Sequence, residues 1–146
     1  MRIFGFLLLA LLTGSVSAQQ PYPPYGLEVS GSELRFMSGM HSLAVDLELG
    51  RNTPANYAQA AETYRKSAVL GYPLSQNNLA RLYETGLGVP RDPVVAHVWY
   101  LLAAASGDST LIANRDRSAR QLLPEQLTSA ESLAQVLMRH LPAPSR

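Results

Sequence analysis

The sequence predicts an all-α solenoid of antiparallel helix pairs, and three observations lead there. A block of residues is written twice at a constant offset of 36: Tyr64/Tyr100, Ala68/Ala104 and Gly71/Gly107, together with Leu43/Leu79, Ala44/Ala80, Gly50/Gly86, Pro54/Pro90 and Ala60/Ala96. Self-similarity at a period of ~20–50 residues marks stacked repeats, in which each unit buries its apolar face only against its neighbours. Between Ser38 and Leu141 the apolar residues recur three or four apart and are interrupted by glycine and proline, which is amphipathic helix with stops. Large Trp99 and Tyr100 stand beside small Ala96, Ala103 and Ala104, so two helices can lie close while the rings fill the space between successive pairs.

The elements follow in order. Residues 1–18 read as a signal peptide: Met1-Arg2, an apolar run from Ile3 to Leu12, and an exit with small residues at Val16 and Ala18. That run is about half of the ~20 residues needed to span a bilayer, and no later segment approaches that length. The expectation is an exported, periplasmic or secreted chain with no integral membrane span after cleavage. Residues 19–37 read as a linker and a short irregular segment. Pro21, Pro23 and Pro24 favour extended chain, while Leu27 to Met37 alternates like short strands although Ser32 could equally cap a helix.

Residues 38–71 form a first, degenerate repeat. Met40, Leu43, Ala44 and Leu47 fall on one face of its first helix, and Gly50 with Thr53-Pro54 ends it. The second helix, Tyr57 to Leu70, places Tyr57, Ala60, Ala61, Tyr64 and Ala68 inward and stops at Gly71. Residues 72–107 form a complete second repeat, with helices at Pro73–Glu84 and Pro93–Ser106 joined by a glycine-bearing loop. Asp92 caps the second of these. Residues 108–141 form a C-terminal capping pair, one helix from Asp108 or Ser109 to about Leu122 and one from Pro124 striped by Leu127, Ala130, Ala134, Leu137 and Leu141. The tail, 142–146, cannot continue it.

The second repeat carries a resemblance. Gly71-Tyr72-Pro73-Leu74, the run Leu79-Ala80-Arg81-Leu82-Tyr83, the loop Gly86-Leu87-Gly88-Val89-Pro90-Arg91-Asp92, then Ala96, Trp99-Tyr100, Ala103-Ala104 and Gly107 together resemble one complete Sel-one-like repeat (SLR). The first repeat is eroded: Leu47 stands at the Tyr position, Arg51-Asn52-Thr53 replaces the Gly-Val part of the loop, and Thr63 replaces Trp. Ala113 to Asp116 and Leu123 to Leu127 resemble the helices that close bacterial SLR proteins. The resemblance implies an α-solenoid that binds other proteins, often in bacterial envelope biology, signalling or secretion, and it supplies no catalytic residue.

Composition narrows the chemistry. Twelve basic and eleven acidic residues give a formal net charge of +1, and loss of Arg2 with the leader removes that excess, so nothing draws nucleic acid or anionic membrane. With no cysteine, disulfides, thiol catalysis and thiolate metal sites are excluded. His41, His97 and His140 have no partner at the four-residue spacing that puts two metal ligands on one helical face. Asp46 and Glu48 are two apart, point to different sides of a helix, and read as a solvated face. Arg115, Arg117 and Arg120 are diluted by Asp108 and Asp116 and read as an intramolecular ion-pair face. Tyr64, Trp99 and Tyr100 occupy repeat positions and read as packing.

The function expected is a non-enzymatic protein-binding scaffold of the bacterial cell envelope, without cofactor or metal. A periplasmic immunity or inhibitor protein and an envelope enzyme accessory with weak hydrolytic activity are the alternatives. The positions the packing pattern leaves free on the first helix of each pair are Ser38, His41 and Ser42, aligned with Leu74, Asn77, Asn78 and Arg81. These seven are the candidate contacts for another protein. Two repeats also expose apolar ends, so the Leu27–Met37 segment or a second subunit must cover the first one.

Overall fold

The structure is a computed structural model that describes residues 30–141. The leader at 1–18, the Pro-rich stretch before Ser30 and the tail at 142–146 lie outside the described residues. Six helices follow one another: α1 Gly31–Leu49, α2 Tyr57–Ala68, α3 Pro73–Thr85, α4 Pro93–Ala104, α5 Ser109–Ala119 and α6 Pro124–His140. There is no strand among the described residues.

α1 departs most from expectation. It begins at Gly31 and not at Ser38, because Ser30 and Glu33 form a capping box. The Glu33 amide donates to Ser30 Oγ at 3.3 Å and the Ser30 amide donates to Glu33 Oε2 at 2.8 Å, so two otherwise unpaired backbone donors are satisfied reciprocally. Those bonds hold Glu33 below the usual carboxylate range. The apparent strand alternation through Leu34 and Phe36 is therefore helical, and Met37 is buried. Elsewhere the starts match their residues: Asp92 Oδ1 accepts from the amides of Val94 and Val95 at 3.0 Å, and Asp108 Oδ1 from those of Thr110 and Leu111 at 2.8 and 3.1 Å. α2, α4 and α5 stop two or three residues sooner than the periodicity suggests. Their last turns tighten into shorter-range bonds such as Leu70 N to Ser67 O, Gly107 N to Ala104 O and Gln121 N to Ser118 O.

α1 pairs with α2 and α3 with α4; α2 then packs on α3, and both α5 and α6 pack on α4. The closing helices thus share one support and cover the C-terminal end. Ala60, Ala96, Tyr64 and Tyr100 are all buried, as the alanine-and-ring logic requires. Two expected core residues are instead exposed. Leu43 is 50% exposed whereas Leu79, its counterpart one repeat later, is fully buried. The difference is position: α3 has α2 before it, and among the described residues α1 has nothing. Tyr57 is also exposed, at the first turn of α2.

The loop between α3 and α4 closes on the start of α2. Gly88 has φ +73°, and a Cβ there would lie 2.2 Å from the Tyr57 carbonyl carbon, so left-handed backbone and close approach both require glycine. Gly88→Ala is expected to lower stability by at least about 1–3 kcal/mol. Ser30→Ala, which removes only the cap, should cost about 1 kcal/mol. Thermal unfolding of both variants checks the order.

Candidate functional site

Each first helix ends in a carboxylate that is tied across the junction to the next repeat. Glu48 on α1 accepts from the Tyr64 hydroxyl of α2 at 3.0 Å and is paired with the Arg81 guanidinium of α3. One repeat later, Glu84 on α3 accepts from the Tyr100 hydroxyl of α4 at 2.9 Å. It also accepts two bonds from Arg117 of α5, at 2.8 and 3.0 Å. Arg117 additionally donates to the Tyr100 oxygen at 3.2 Å. Both glutamate side chains are only 13% exposed, so each carboxylate is nearly enclosed by its own partners.

The electrostatics follow from that enclosure. Burial alone would raise Glu84, but the hydrogen bonds from Arg117 and Tyr100 and the Arg117 charge hold it below the usual carboxylate range. Burial, with the neighbouring glutamate, pushes Tyr100 up to about 12 and Tyr64 higher still. These tyrosines are locked as donors, not poised as acids or bases. Glu48 is thus no member of a solvated face, as its sequence context had suggested, because the rotation that separates it from Asp46 turns it toward α2 and α3. Asp46 faces outward and pairs with Arg51 at 3.2 Å. Arg117 and Arg115, the latter bound to Asp116, do form intramolecular pairs.

The seven candidate contacts separate into two groups. Leu74 is 47% exposed, and Ser42 is exposed with its hydroxyl donating to Ser38 O. Ser38 is half-buried and donates to Arg35 O. The other four are engaged within the fold, which corrects the expectation that packing leaves them free. Asn77 Oδ1 accepts from Asn114 of α5 at 2.9 Å, Asn78 Nδ2 donates to the Tyr64 hydroxyl at 3.2 Å, and Arg81 serves Glu48. His41 Nδ1 lies 3.1 Å from Ser75 Oγ, with its ring 5.6 and 5.4 Å from those of Tyr64 and Tyr72. Periodicity alone places such residues off the apolar stripe, yet a neighbouring repeat supplies polar partners there.

The His41 bond continues inward: Ser75 Oγ donates to Ser67 Oγ at 2.9 Å, and Ser67 Oγ donates to Met37 O at 2.9 Å. His97 is buried on α4, its Nδ1 3.2 Å from Ser118 Oγ of α5. Burial lowers both imidazoles from the ordinary value of 6.5. Among the described residues no three His, Cys, Asp or Glu side chains are grouped to hold a metal ion. No described helix is long and apolar enough to cross a membrane.

What the geometry defines is a class: a stacked-repeat protein whose enclosed carboxylates, Glu48 and Glu84, join its units. The Sel1 repeat family matches residues 38–72 and 73–108. Several solved structures are similar, and two illustrate the likeness. One is a protective antigen of uropathogenic Escherichia coli displaying an SLR fold, with 30% identity, a TM-score of 0.64, and coverage of 75% of this chain and 26% of that one. The other is a Sel1 repeat protein from Oxalobacter formigenes, with 31% identity, a TM-score of 0.54, and coverage of 56% of this chain and 61% of that one. No curated protein matches. This chain is a Sel1-repeat protein of the SLR fold, and it spans about a quarter of the length of the first of these relatives. Sel1 repeats are protein-interaction modules.

Removing Arg117 by substitution to Ala leaves Glu84 enclosed without its cation and should cost about 1–3 kcal/mol, more than Tyr100→Phe, which removes one donor. The two losses should be non-additive in a double-mutant cycle read by urea unfolding. Acid acts in two steps. The native chain holds His41 and His97 neutral, so the unfolded chain binds more protons just below pH 6.5, and stability falls as pH drops through that range. The Glu84 contribution, from a group held below 4.5, is lost only at lower pH. Unfolding midpoints from pH 8 to pH 3 should show this order, with His41→Asn and His97→Asn together flattening the upper step.

Proposed function

We propose that the chain is a protein-binding module of the bacterial cell envelope, acting outside the cytoplasm without chemistry of its own, and that it takes its partner on the exposed face of the first helices around Leu74. The observation that carries the site is the contrast among the seven aligned positions. Leu74 is the large apolar side chain among them left 47% exposed, three residues before Asn77 on α3, whose amide is already bonded to Asn114. An exposed apolar anchor beside polar groups whose hydrogen bonds are already satisfied is a composition that suits an interface. The charged start, short apolar run and small-residue exit over residues 1–18 support export. The absence of cysteine is compatible with a fold held by packing alone in that compartment.

Leu74→Asp is expected to reduce capture of the partner at least tenfold in affinity purification from the native envelope, with the thermal midpoint unchanged because Leu74 supports no core contact that the solvent does not already share. Asn77 and Arg81 are poorer targets, since their loss also loosens the repeat junctions. Equal capture by the Leu74 variant would remove the site, and recovery of the chain in the cytoplasmic fraction would remove the location.

A further inference from the structure

We propose that the outer face of α1 pairs two copies of the chain, antiparallel and about a two-fold axis. The face is the N-terminal end of the solenoid. Phe36, Met40, Leu43 and Leu47 recur four, three and four apart along it, with Phe36 58% and Leu43 50% exposed, Met40 half-buried, and Leu47 half-buried where it also packs against the core. The corresponding positions on α3 are Tyr72, Gln76, Leu79 and Tyr83, of which Gln76 and Leu79 are buried with α2 packed on that helix. The apolar stripe of α1 thus has the pattern of a covered face, and among the described residues it lacks its cover. Residues 30–37 do not supply it, because they are the first turns of α1 itself.

Two features select a second copy and its orientation. Arg35 has no carboxylate partner among the described residues, and Asp46 holds an exposed pair with Arg51; both flank the apolar stripe on its solvent side. Eleven residues separate them, about 16 Å along the helix. A parallel two-fold pair would put the same flank of the two helices on opposite sides of the seam, so Arg35 and Asp46 of one copy would meet neither residue of the other. An antiparallel pair sets Arg35 of each copy beside Asp46 of the other, twice. The same axis, passing near residues 40 to 42, places Phe36 opposite Leu47 and Met40 opposite Leu43 of the second copy. Charge and apolar positions therefore agree on one arrangement to within a residue, and the interface is isologous and closed.

End-to-end stacking is disfavoured by the junction chemistry. The position aligned with Arg81 and Arg117 is Val45 at the head of the chain, and the position aligned with Glu48 and Glu84 is Arg120 at its tail. A copy stacked head to tail would have neither the carboxylate nor the guanidinium to make the tie, and α6 already packs on α4 at that end.

Sedimentation velocity on the chain as it accumulates in the producing cell tests this. A concentration-dependent dimer is expected, and Leu43→Asp should render it monomeric with unchanged circular dichroism. Arg35→Asp, at an exposed position, and Asp46→Arg, which gives up the exposed pair with Arg51, should each weaken the dimer tenfold or more at low salt, and the two together should restore it. A monomeric wild-type chain would overturn the proposal, including one in which residues 19–29 cross-link to the Phe36–Leu43 face and so cover it from within. So would open-ended assemblies, a dimer indifferent to these substitutions, or a charge swap that fails to rescue. The partner-binding face around Leu74 is separate, so loss of capture and loss of the dimer are read independently.

Discussion

No helix pair in this chain can bury its apolar stripe alone, and everything else in the structure answers to that constraint. The alanines at the crossings bring helices close, the rings of Tyr64 and Tyr100 fill the space between one pair and the next, and the hydroxyls of those rings then emerge at the junction. A buried hydroxyl needs a partner. Glu48 and Glu84 supply it, and the enclosed carboxylates in turn require Arg81 and Arg117. Packing thus generates its own polar network, one tie per junction, with each member drawn from a different helix. The third helix of each tie belongs to the following repeat, which makes α5 the first helix of a third unit in its chemistry as well as in its spacing.

This accounting explains where a partner can and cannot bind. Polar residues on the first helices divide into those spent on the junctions, such as Asn78 and Arg81, and those left over, such as Ser42. Functional readings of repeat proteins from exposed-looking polar positions meet this division everywhere, because a repeat's outward face is partly the next repeat's inward face. Leu74 remains on the open side, and the stripe of α1 remains open because nothing among the described residues precedes it. Two surfaces of different origin result: one is apolar by substitution at a single aligned place, the other by position at the end of the stack.

Much of the fold was legible. The 36-residue offset located both repeats, proline and aspartate located most helix starts, and Gly50 and Gly86 located two of the ends. The start of α1 is masked in the sequence by the alternation of Leu27, Val29, Leu34 and Phe36, although Ser30 and Glu33 stand at the spacing of a capping box. The junction ties were legible in principle: Glu48/Glu84, Tyr64/Tyr100 and Arg81/Arg117 each repeat the offset. They do not stand out as clustered acids and bases, because a solenoid brings together residues 16 and 33 positions apart.

By itself the sequence determined the class of protein: local periodicity, caps and a fixed repeat dictate stacked helix pairs, and those are properties of short segments. Which polar side chains are structural and which remain free was decided only by the tertiary structure. That choice depends on what the neighbouring repeat places opposite each residue. Leu43 and Leu79 make the point with one residue type at one repeat position, exposed at the end of the stack and buried within it.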